Sequence, residues 1–291
     1  MTGRVAHSVT ATPDPPPKGV PNPVHRADGA RAAGYQAPLV AGVRTYGWAV
    51  GAIVEAAGAE WMDGGWIDFS LHRPVFAGDR LTTTVTSTGA ATGAPDARWD
   101  VATVVEPERI VLMGEVGVGS APWLTELDAP PASPGSDPPP ARSTYDVASA
   151  PVGRALLPLA AFVTGSDAEA MLHDDLAVDP EPFCRSGRVR LHPYFLAGRM
   201  APLTRHNFTY GPTIHVRSQI QHCAPAWADQ EITVGARVVD AYERNGHQYQ
   251  VLDGRITGAG ADDLVLIRHH TIFRPRGTVP PEPDSSAAPA G

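Results

Sequence analysis

Apolar and polar residues alternate in several segments of the chain, and this pattern predicts β-strands. Side chains of a half-buried strand point in turn to the two faces of a sheet, which produces a period of two. The segments fall into two sets of three, one in each half of the chain. They are residues 81–85, 99–105, 109–118, 232–238, 248–257 and 264–273.

An apolar stretch containing alanine and glycine precedes each set of strands and predicts a helix. The two stretches are residues 40–57 and 194–203. One apolar helix packed against one curled antiparallel sheet buries the apolar face of both elements in a two-layer arrangement. The sequence therefore predicts an α+β fold made of two similar halves.

A short motif ahead of each set of strands supports an internal duplication. In the first half His72 lies seven residues before Asp79, and in the second half His222 lies seven residues before Asp229. Each aspartate is followed by a segment with period-two alternation. Because the two histidines recur at equivalent places before a turn, we expect both to be structural.

A Pro/Ser/Gly-rich segment without apolar periodicity separates the two halves and is typical of a linker. It covers residues 129–150. The predicted organisation is an N-terminal module at 1–128, a C-terminal module at 151–276 and a disordered tail at 277–291. Two modules of this size suit a chain of 291 residues.

Charge and hydropathy argue against two classes of partner. The net charge of −8 disfavours nucleic acid and anionic membrane surfaces. No apolar stretch approaches the roughly 20 residues needed to span a bilayer, and no signal peptide is visible. We therefore expect a cytoplasmic protein.

The cysteines and glycines do not indicate a cofactor. Cys184 and Cys223 are too few for a disulfide framework and lack metal-ligand spacing, so buried free thiols are expected. No dinucleotide-binding fingerprint is present either. The sequence therefore predicts neither a metal nor a redox cofactor.

The strongest chemical signal is the run Asn22-Pro23-Val24-His25, which is followed by Gly34 and Gly42. It places a histidine shortly before a glycine-marked helix start. Backbone N–H groups at a helix start can stabilise a developing oxyanion. The run therefore predicts an acid–base residue beside an oxyanion site.

These residues resemble the MaoC-like hydratase and dehydratase family, whose hotdog fold wraps an antiparallel sheet around a long helix. The second half, from His192 to Pro275, is similar to the partner hotdog of double-hotdog members. The resemblance implies a double hotdog with a continuous sheet across an internal pseudo-dimer. The residues that carry it are Asn22, Pro23, His25, Ala32, Gly34, Pro38, Gly42 and the run Arg73-Pro74-Val75-Phe76-Ala77-Gly78-Asp79.

The resemblance implies addition or removal of water at the α,β position of an acyl thioester, linked to CoA or to an acyl carrier protein. His25 matches the family's catalytic histidine, Asn22 its asparagine, and Gly42 the glycine whose N–H completes the oxyanion hole. The family's catalytic aspartate falls on Val20, which cannot transfer a proton. The chain thus departs from the family at half of its catalytic pair.

Three functional readings remain open because of Val20. His25 and Gly42 alone can support a slower or more specialised hydration or dehydration, in fatty-acid or polyketide metabolism. Alternatively, the cavity guides cyclisation or isomerisation of a polyketide-like intermediate. A third interpretation is a non-catalytic subunit that binds acyl chains or completes a heterodimer. A homodimer is the alternative assembly.

Four further residues are candidates for substrate binding, from the first helix region and the start of the second helix. They are Tyr35, Tyr46, Trp48 and His192. Aromatic residues at such places are commonly core or cavity lining. Glu55 is expected to lie too far along the first helix to share a cavity with Gly42. Arg44, Arg199 and Arg205 are able to meet a phosphate, but the sequence assigns none of them.

Overall fold

The computed structural model describes residues 3–15, 22–89, 96–260 and 262–279. Val20, on which the resemblance places the missing aspartate, lies outside the described residues. Residues 280–291 of the expected tail lie outside them as well.

The described residues form strands in both halves of the chain. In the first half these are β1 (Arg4–Thr10), β2 (Trp66–Leu71), β3 (Arg80–Ser87), β4 (Arg98–Val105) and β5 (Arg109–Gly117). In the second half they are β6 (Leu159–Phe162), β7 (Cys184–Arg185), β8 (Arg188–Val189), β9 (Ile214–His222), β10 (Glu231–Arg244), β11 (His247–Thr257) and β12 (Asp263–Arg274). All six strands predicted from the alternation are present.

Ten of these strands form one antiparallel sheet in the order β1-β3-β4-β5-β2-β9-β12-β11-β10-β6. The two halves meet at β2 and β9, where Trp66 lies opposite Gln221 and Ser70 opposite Arg217. Arg217 donates to the Asp68 carboxylate across this junction at 2.9 and 2.6 Å. The continuous sheet confirms the predicted pairing of the two halves.

The edge strands β1 and β6 were not predicted from the sequence. β1 pairs with β3, and β6 pairs with β10, at opposite ends of the sheet. Exposed and partly buried residues alternate in both, so neither has the apolar face that identifies an interior strand.

The first half packs on a 16-residue helix, α2 (Gly42–Ala57). Tyr46 and Ile53 on this helix are fully buried, and Tyr46 stacks on Phe69 of β2 with 4.7 Å between ring centroids. The prediction of a long central helix is confirmed, with its first residue at Gly42. Short helices are also present. These are α1 (Ala27–Ala32) and α3 (Trp61–Gly64) in the first half and α4 (Gly165–Ala170) in the second.

The helix of the second half is split in two, where the sequence predicted one continuous stretch. α5 (Pro193–Ala197) and α6 (Met200–Asn207) are separated by Gly198 and Arg199. Pro202 explains the break, since proline has no N–H to donate four residues back and its ring collides with that carbonyl. At the third position of a new helix it is tolerated.

The segment at 129–150 lies along the second half. Arg255 Nε donates to Pro130 O at 2.9 Å, and Tyr145 is buried against Tyr210 and Phe273. Tyr145 and Phe273 meet edge to face at 4.7 Å. The segment therefore contributes to the core of the second half, while the domain boundaries stay predictions.

Both cysteines are exposed, so the expectation of buried thiols is wrong. Cys184 begins β7, which pairs only with β8 in a small ribbon outside the main sheet. Cys223 directly follows the last residue of β9. Neither position faces the packed interior between helix and sheet.

The described ranges contain neither a membrane-spanning helix nor a cluster of metal-binding side chains. Within 3–15, 22–89, 96–260 and 262–279, no helix is long and apolar enough to cross a membrane. In the same part of the chain, no group of three or more His, Cys, Asp or Glu side chains is arranged to hold a metal ion.

Candidate active site

His25 ends a single 3-10 turn, Pro23–His25, just before α1. Its Nδ1 lies 2.7 Å from the carbonyl of Leu39, and its Nε2 lies 3.1 Å from Nδ2 of Asn22. A carbonyl can only accept and an amide NH₂ can only donate. The two contacts are therefore satisfied when Nδ1 donates to Leu39 O and Nε2 accepts from Asn22.

Asn22 connects this turn to the second half of the chain. Its Nδ2 donates to Thr213 O at 2.7 Å, and its Oδ1 accepts from Thr213 N at 3.1 Å. These two bonds also fix the orientation of the amide. The contact from Nδ2 to His25 Nε2, at 3.1 Å, is longer than the one to Thr213 O. It is therefore the weaker of the two hydrogen bonds and the easier one to break when Nε2 meets a substrate.

Asp14 is a second partner of His25 that sequence reasoning missed. Its Oδ2 lies 2.9 Å from His25 Nδ1. Both carboxylate oxygens accept from the N–H of Ala41, at 3.0 and 3.2 Å, directly before α2. Ten residues of chain lie between Asp14 and His25, and Asp14 comes near the start of α2 only in the folded protein, so no sequence spacing marks the pair.

The environment of Asp14 keeps its carboxylate ionised. Burial raises the pKa of Asp14, but the contact with His25, the N–H of Ala41 and the charge of Arg44 outweigh burial and lower the pKa below its ordinary value. A negative charge beside Nδ1 favours the protonated, positively charged form of His25 when Nε2 takes a proton.

Arg44 holds the Asp14 segment in place. Its guanidinium donates to the carbonyls of Thr12 and Pro13, each at 2.9 Å, and to Asp14 Oδ1 at 3.2 Å. It also donates to the carbonyl of Asp175 in the second half. Arg44 is almost fully buried at 3 % exposure, so it acts inside the protein and does not meet a phosphate in solvent.

Gly42 is the first residue of α2, and the fold leaves no room for a side chain there. A Cβ at this position would lie 2.4 Å from Leu71 Cδ1 and 3.1 Å from His215 Cβ. The first N–H groups of a helix have no acceptor within the helix. The N–H groups at this start therefore remain able to bind a developing negative charge.

A cavity of about 840 Å³ joins these groups. The first half contributes His25, Gly42 and Tyr35 to its lining, and the second half contributes Thr213 and His215. This volume lies within the usual range for small-molecule sites. The cavity is thus composite, with one wall from each half of the chain.

The wall from the second half contains a chain of polar side chains. Ser218 Oγ lies 2.8 Å from His215 Nε2 and 2.8 Å from His269 Nδ1. Burial lowers the pKa of His215 to about 3 and that of His269 well below its ordinary value. Both histidines are therefore neutral at physiological pH and act as hydrogen-bonding groups without charge.

Three of the four expected substrate-binding residues lie away from this cavity. Tyr46 is fully buried in the core, and burial raises its pKa. Trp48 lines a second cavity of about 630 Å³ together with His7 and Glu55. His192 lines neither cavity. Tyr35 alone of the four lies with His25, Asn22 and Gly42.

Solved structures resemble this fold over nearly the whole chain. No family model and no curated protein matches the sequence. A putative MaoC domain dehydratase from Chloroflexus aurantiacus superposes with a TM-score of 0.63 at 13% identity, covering 95% of both chains. A conserved hypothetical protein from Mycobacterium tuberculosis, described as a double hotdog, gives 0.57 at 17% identity and 84% of both chains. The chain has a double hotdog fold.

Enzymes with different reactions share this double hotdog fold. A putative oleoyl thioesterase from Lactobacillus plantarum also superposes, with a TM-score of 0.52 at 9% identity over 94% of this chain and 97% of its own. At such identities the likeness shows the fold alone.

The start of the helix in the second hotdog carries a buried side chain. His192 is the N-cap of α5, and its Nδ1 accepts from Tyr194 N at 3.1 Å. Its ring is 2 % exposed and stacks on Phe183 at 4.7 Å. The helix start of the second hotdog is therefore filled.

Proposed function

We propose that this double hotdog is an acyl-thioester hydratase or dehydratase that acts at the α,β position, with His25 as its acid–base residue. The observation that carries the proposal is the placement of His25, which lines the same cavity as the start of α2 while Leu39 O and Asn22 Nδ2 orient its ring. The substrate would be linked to CoA or to an acyl carrier protein. The cytoplasmic location stays a prediction.

The reaction needs one proton taken and one returned. In dehydration, Nε2 of His25 removes the α-proton of a 3-hydroxyacyl thioester, and N–H groups at the start of α2 stabilise the enolate oxygen. The imidazolium then gives its proton to the departing hydroxyl group, so that water leaves and the 2-enoyl thioester remains. A positioned acid–base group contributes about 10²–10⁴-fold, and an oxyanion donor about 10²–10³-fold.

Asp14 would act through His25 as a positioning residue. Its carboxylate is held by Ala41 N–H and Arg44 and touches His25 at Nδ1, the nitrogen opposite the reacting one. A buried carboxylate in this place orients the ring and stabilises the imidazolium that forms. Asp14 is thus no direct replacement for the proton-transferring aspartate expected at position 20.

A second candidate function follows from the single proton-transferring group. Asp14 is committed to three partners, so His25 is the proton-transferring group of the pair. Cyclisation or isomerisation of a polyketide-like intermediate requires a shaped cavity and one such group. The open cavity argues against a purely structural subunit.

The deciding experiment is a hydration assay on 2-enoyl thioesters. The purified protein is expected to hydrate crotonyl-CoA, or a longer 2-enoyl thioester presented on CoA or a carrier protein, with loss of the enoyl absorbance. Saturation kinetics on any of them supports the proposal. An absence of turnover across the series, in both directions and on both carriers, would contradict it and favour cyclisation or isomerisation.

Asp14→Asn is expected to lower kcat for hydration by about 10- to 100-fold and to change KM little. The amide retains the shape but removes the charge that favours the imidazolium in the transition state. Steady-state kinetics measure the split between kcat and KM. Asp28→Asn, at an exposed acid on α1, serves as the control, and Asp14→Glu should recover part of the loss. An effect confined to KM would show that Asp14 does not act through His25.

A further inference from the structure

The central cavity carries far more positive than negative charge, although the chain as a whole is acidic. Among its described lining residues the only carboxylate is Asp14, which is already bound to Arg44 and His25. Four more arginines line the same cavity, and they are Arg26, Arg73, Arg199 and Arg205. Such a concentration of cations favours an anionic ligand.

Arg199 and Arg205 lie at the two ends of α6 and are partly buried without an acidic partner. Arg199 Nε donates to the carbonyl of Phe195 at 3.1 Å, and its guanidinium lies 3.9 Å from the centre of the Phe195 ring. Arg205 lies 5.8 Å from the Tyr210 ring, and its Nε is shielded from solvent without a hydrogen-bond partner. In the described part of the chain, neither arginine forms an ion pair.

Other shielded arginines of this protein do have a carboxylate. Arg190 pairs with Asp63, and Arg268 donates to Asp253 at 2.7 Å. Burial lowers the pKa of Arg199 to about 10, and it also lowers that of Arg205. Removing a guanidinium from water is costly unless an anion compensates it. The fold therefore maintains two cations at this cavity for which the protein supplies no counter-charge.

We propose that the cationic wall to which Arg199 and Arg205 belong binds a carboxylate carried by the acyl group, so that the substrate class is a monothioester of a dicarboxylic acid. The proposal rests on the proposed function, because it takes an acyl thioester as the ligand. A carboxylate matches the planar guanidinium and sheds its water more readily than a phosphate. The exposed Arg26 and Arg73 leave any phosphate of the carrier a site in contact with water.

Binding of stable analogues tests this without requiring turnover. The probes are pantetheine analogues in which an amide replaces the thioester, with butyryl or succinyl and with hexanoyl or adipoyl groups. Each pair differs only by a carboxylate in place of the terminal methyl group. Calorimetry is expected to show that the carboxylate raises affinity about 10- to 100-fold in at least one pair, the value of a charge-assisted hydrogen bond.

Variants locate the preference. Arg199→Gln and Arg205→Gln should each lower the preference and together remove most of it, while the methyl-ended analogue stays bound within about twofold of the wild type. Arg199→Lys guards against misfolding of the glutamine variant, since it retains the charge and should keep part of the preference. Arg31→Gln, at an exposed position on α1 outside the cavity lining, is the control and should change nothing.

Three outcomes would overturn the proposal. They are equal affinity within both pairs, no binding of any analogue, and a preference that survives both glutamine variants. If these variants instead weaken only the matching CoA analogues, the arginines bind the carrier's phosphates and the carboxylate assignment is wrong. A carboxylate preference in a protein that hydrates no enoyl thioester would contradict the proposed function while leaving this inference intact.

Discussion

His25→Ala is expected to lower kcat/KM for hydration of a 2-enoyl thioester by about 10²–10⁴-fold. The substitution removes the Nε2 lone pair that takes the proton, while the N–H groups at the start of α2 remain. Residual activity above the uncatalysed rate should therefore persist. Steady-state kinetics measure the loss, and added imidazole should restore part of kcat because the alanine leaves space beside Asp14.

His72→Ala is the matched control for this variant. His72 lines the same cavity but is exposed, so its loss should cost less than about 10-fold. Unchanged turnover in His25→Ala, or an equal loss in both variants, would remove His25 from the reaction. Rescue by imidazole in His25→Ala alone would separate a proton-transfer role from a structural one.

Acidification below the ordinary pKa of histidine is expected to unfold the protein cooperatively. Burial lowers the pKa of His192 to about 3, with a further contribution from His222, and burial lowers that of His222 to about 4. Burial also lowers the pKa of His269 well below its ordinary value. In the unfolded chain each would titrate near pH 6.5, at about its unperturbed pKa.

The sign and size follow from proton linkage. Because the unfolded chain binds more protons below about pH 6.5, the stability these histidines confer is complete above that pH and is lost as the pH falls toward their folded pKa values. These three residues, at about 1.4 kcal/mol per pH unit each, contribute at most roughly 4 kcal/mol per unit, and His215, with a pKa of about 3, acts in the same direction. A free energy of unfolding of about 5–10 kcal/mol would then be exhausted between about pH 5.5 and 4.

Circular dichroism and tryptophan fluorescence against pH measure this transition, since Trp61 meets the His222 ring at 4.9 Å. His192→Asn removes one titrating group and supplies an amide oxygen that can cap α5 in place of Nδ1, so it should lower the midpoint by several tenths of a pH unit. His173→Asn, at an exposed position, should leave the midpoint unchanged. A flat signal from pH 6.5 to pH 4 would disprove the account.

Local patterns were sufficient for most of the fold. Period-two alternation identified six of the strands, and the apolar stretch at 40–57 identified α2, because a helix or strand with one buried face repeats its apolar residues at a fixed interval. The split of the second helix was missed, although Pro202 was visible. The edge strands β1 and β6 were missed because neither has a fully apolar face.

The candidate site divides in the same way. Residues joined by short, motif-bearing spacings, such as Asn22 with His25 and both with Gly42, were found in the sequence and lie together in the cavity. The sequence also showed that the motif carries valine at position 20. These features depend on local order along the chain, so spacing alone was enough to group them.

Only the tertiary structure decided what surrounds that motif. Asp14 contacts His25 without any fixed sequence spacing between them. His215 and Arg199 line the cavity because β2 and β9 join two halves that lie far apart in sequence. Such contacts leave no periodic or spacing signal, since they depend on how the two hotdogs pack. The sequence by itself was thus enough to predict the fold and to single out His25 as a candidate residue. The packing of the two halves decided which residues contact His25 and which charges line the cavity.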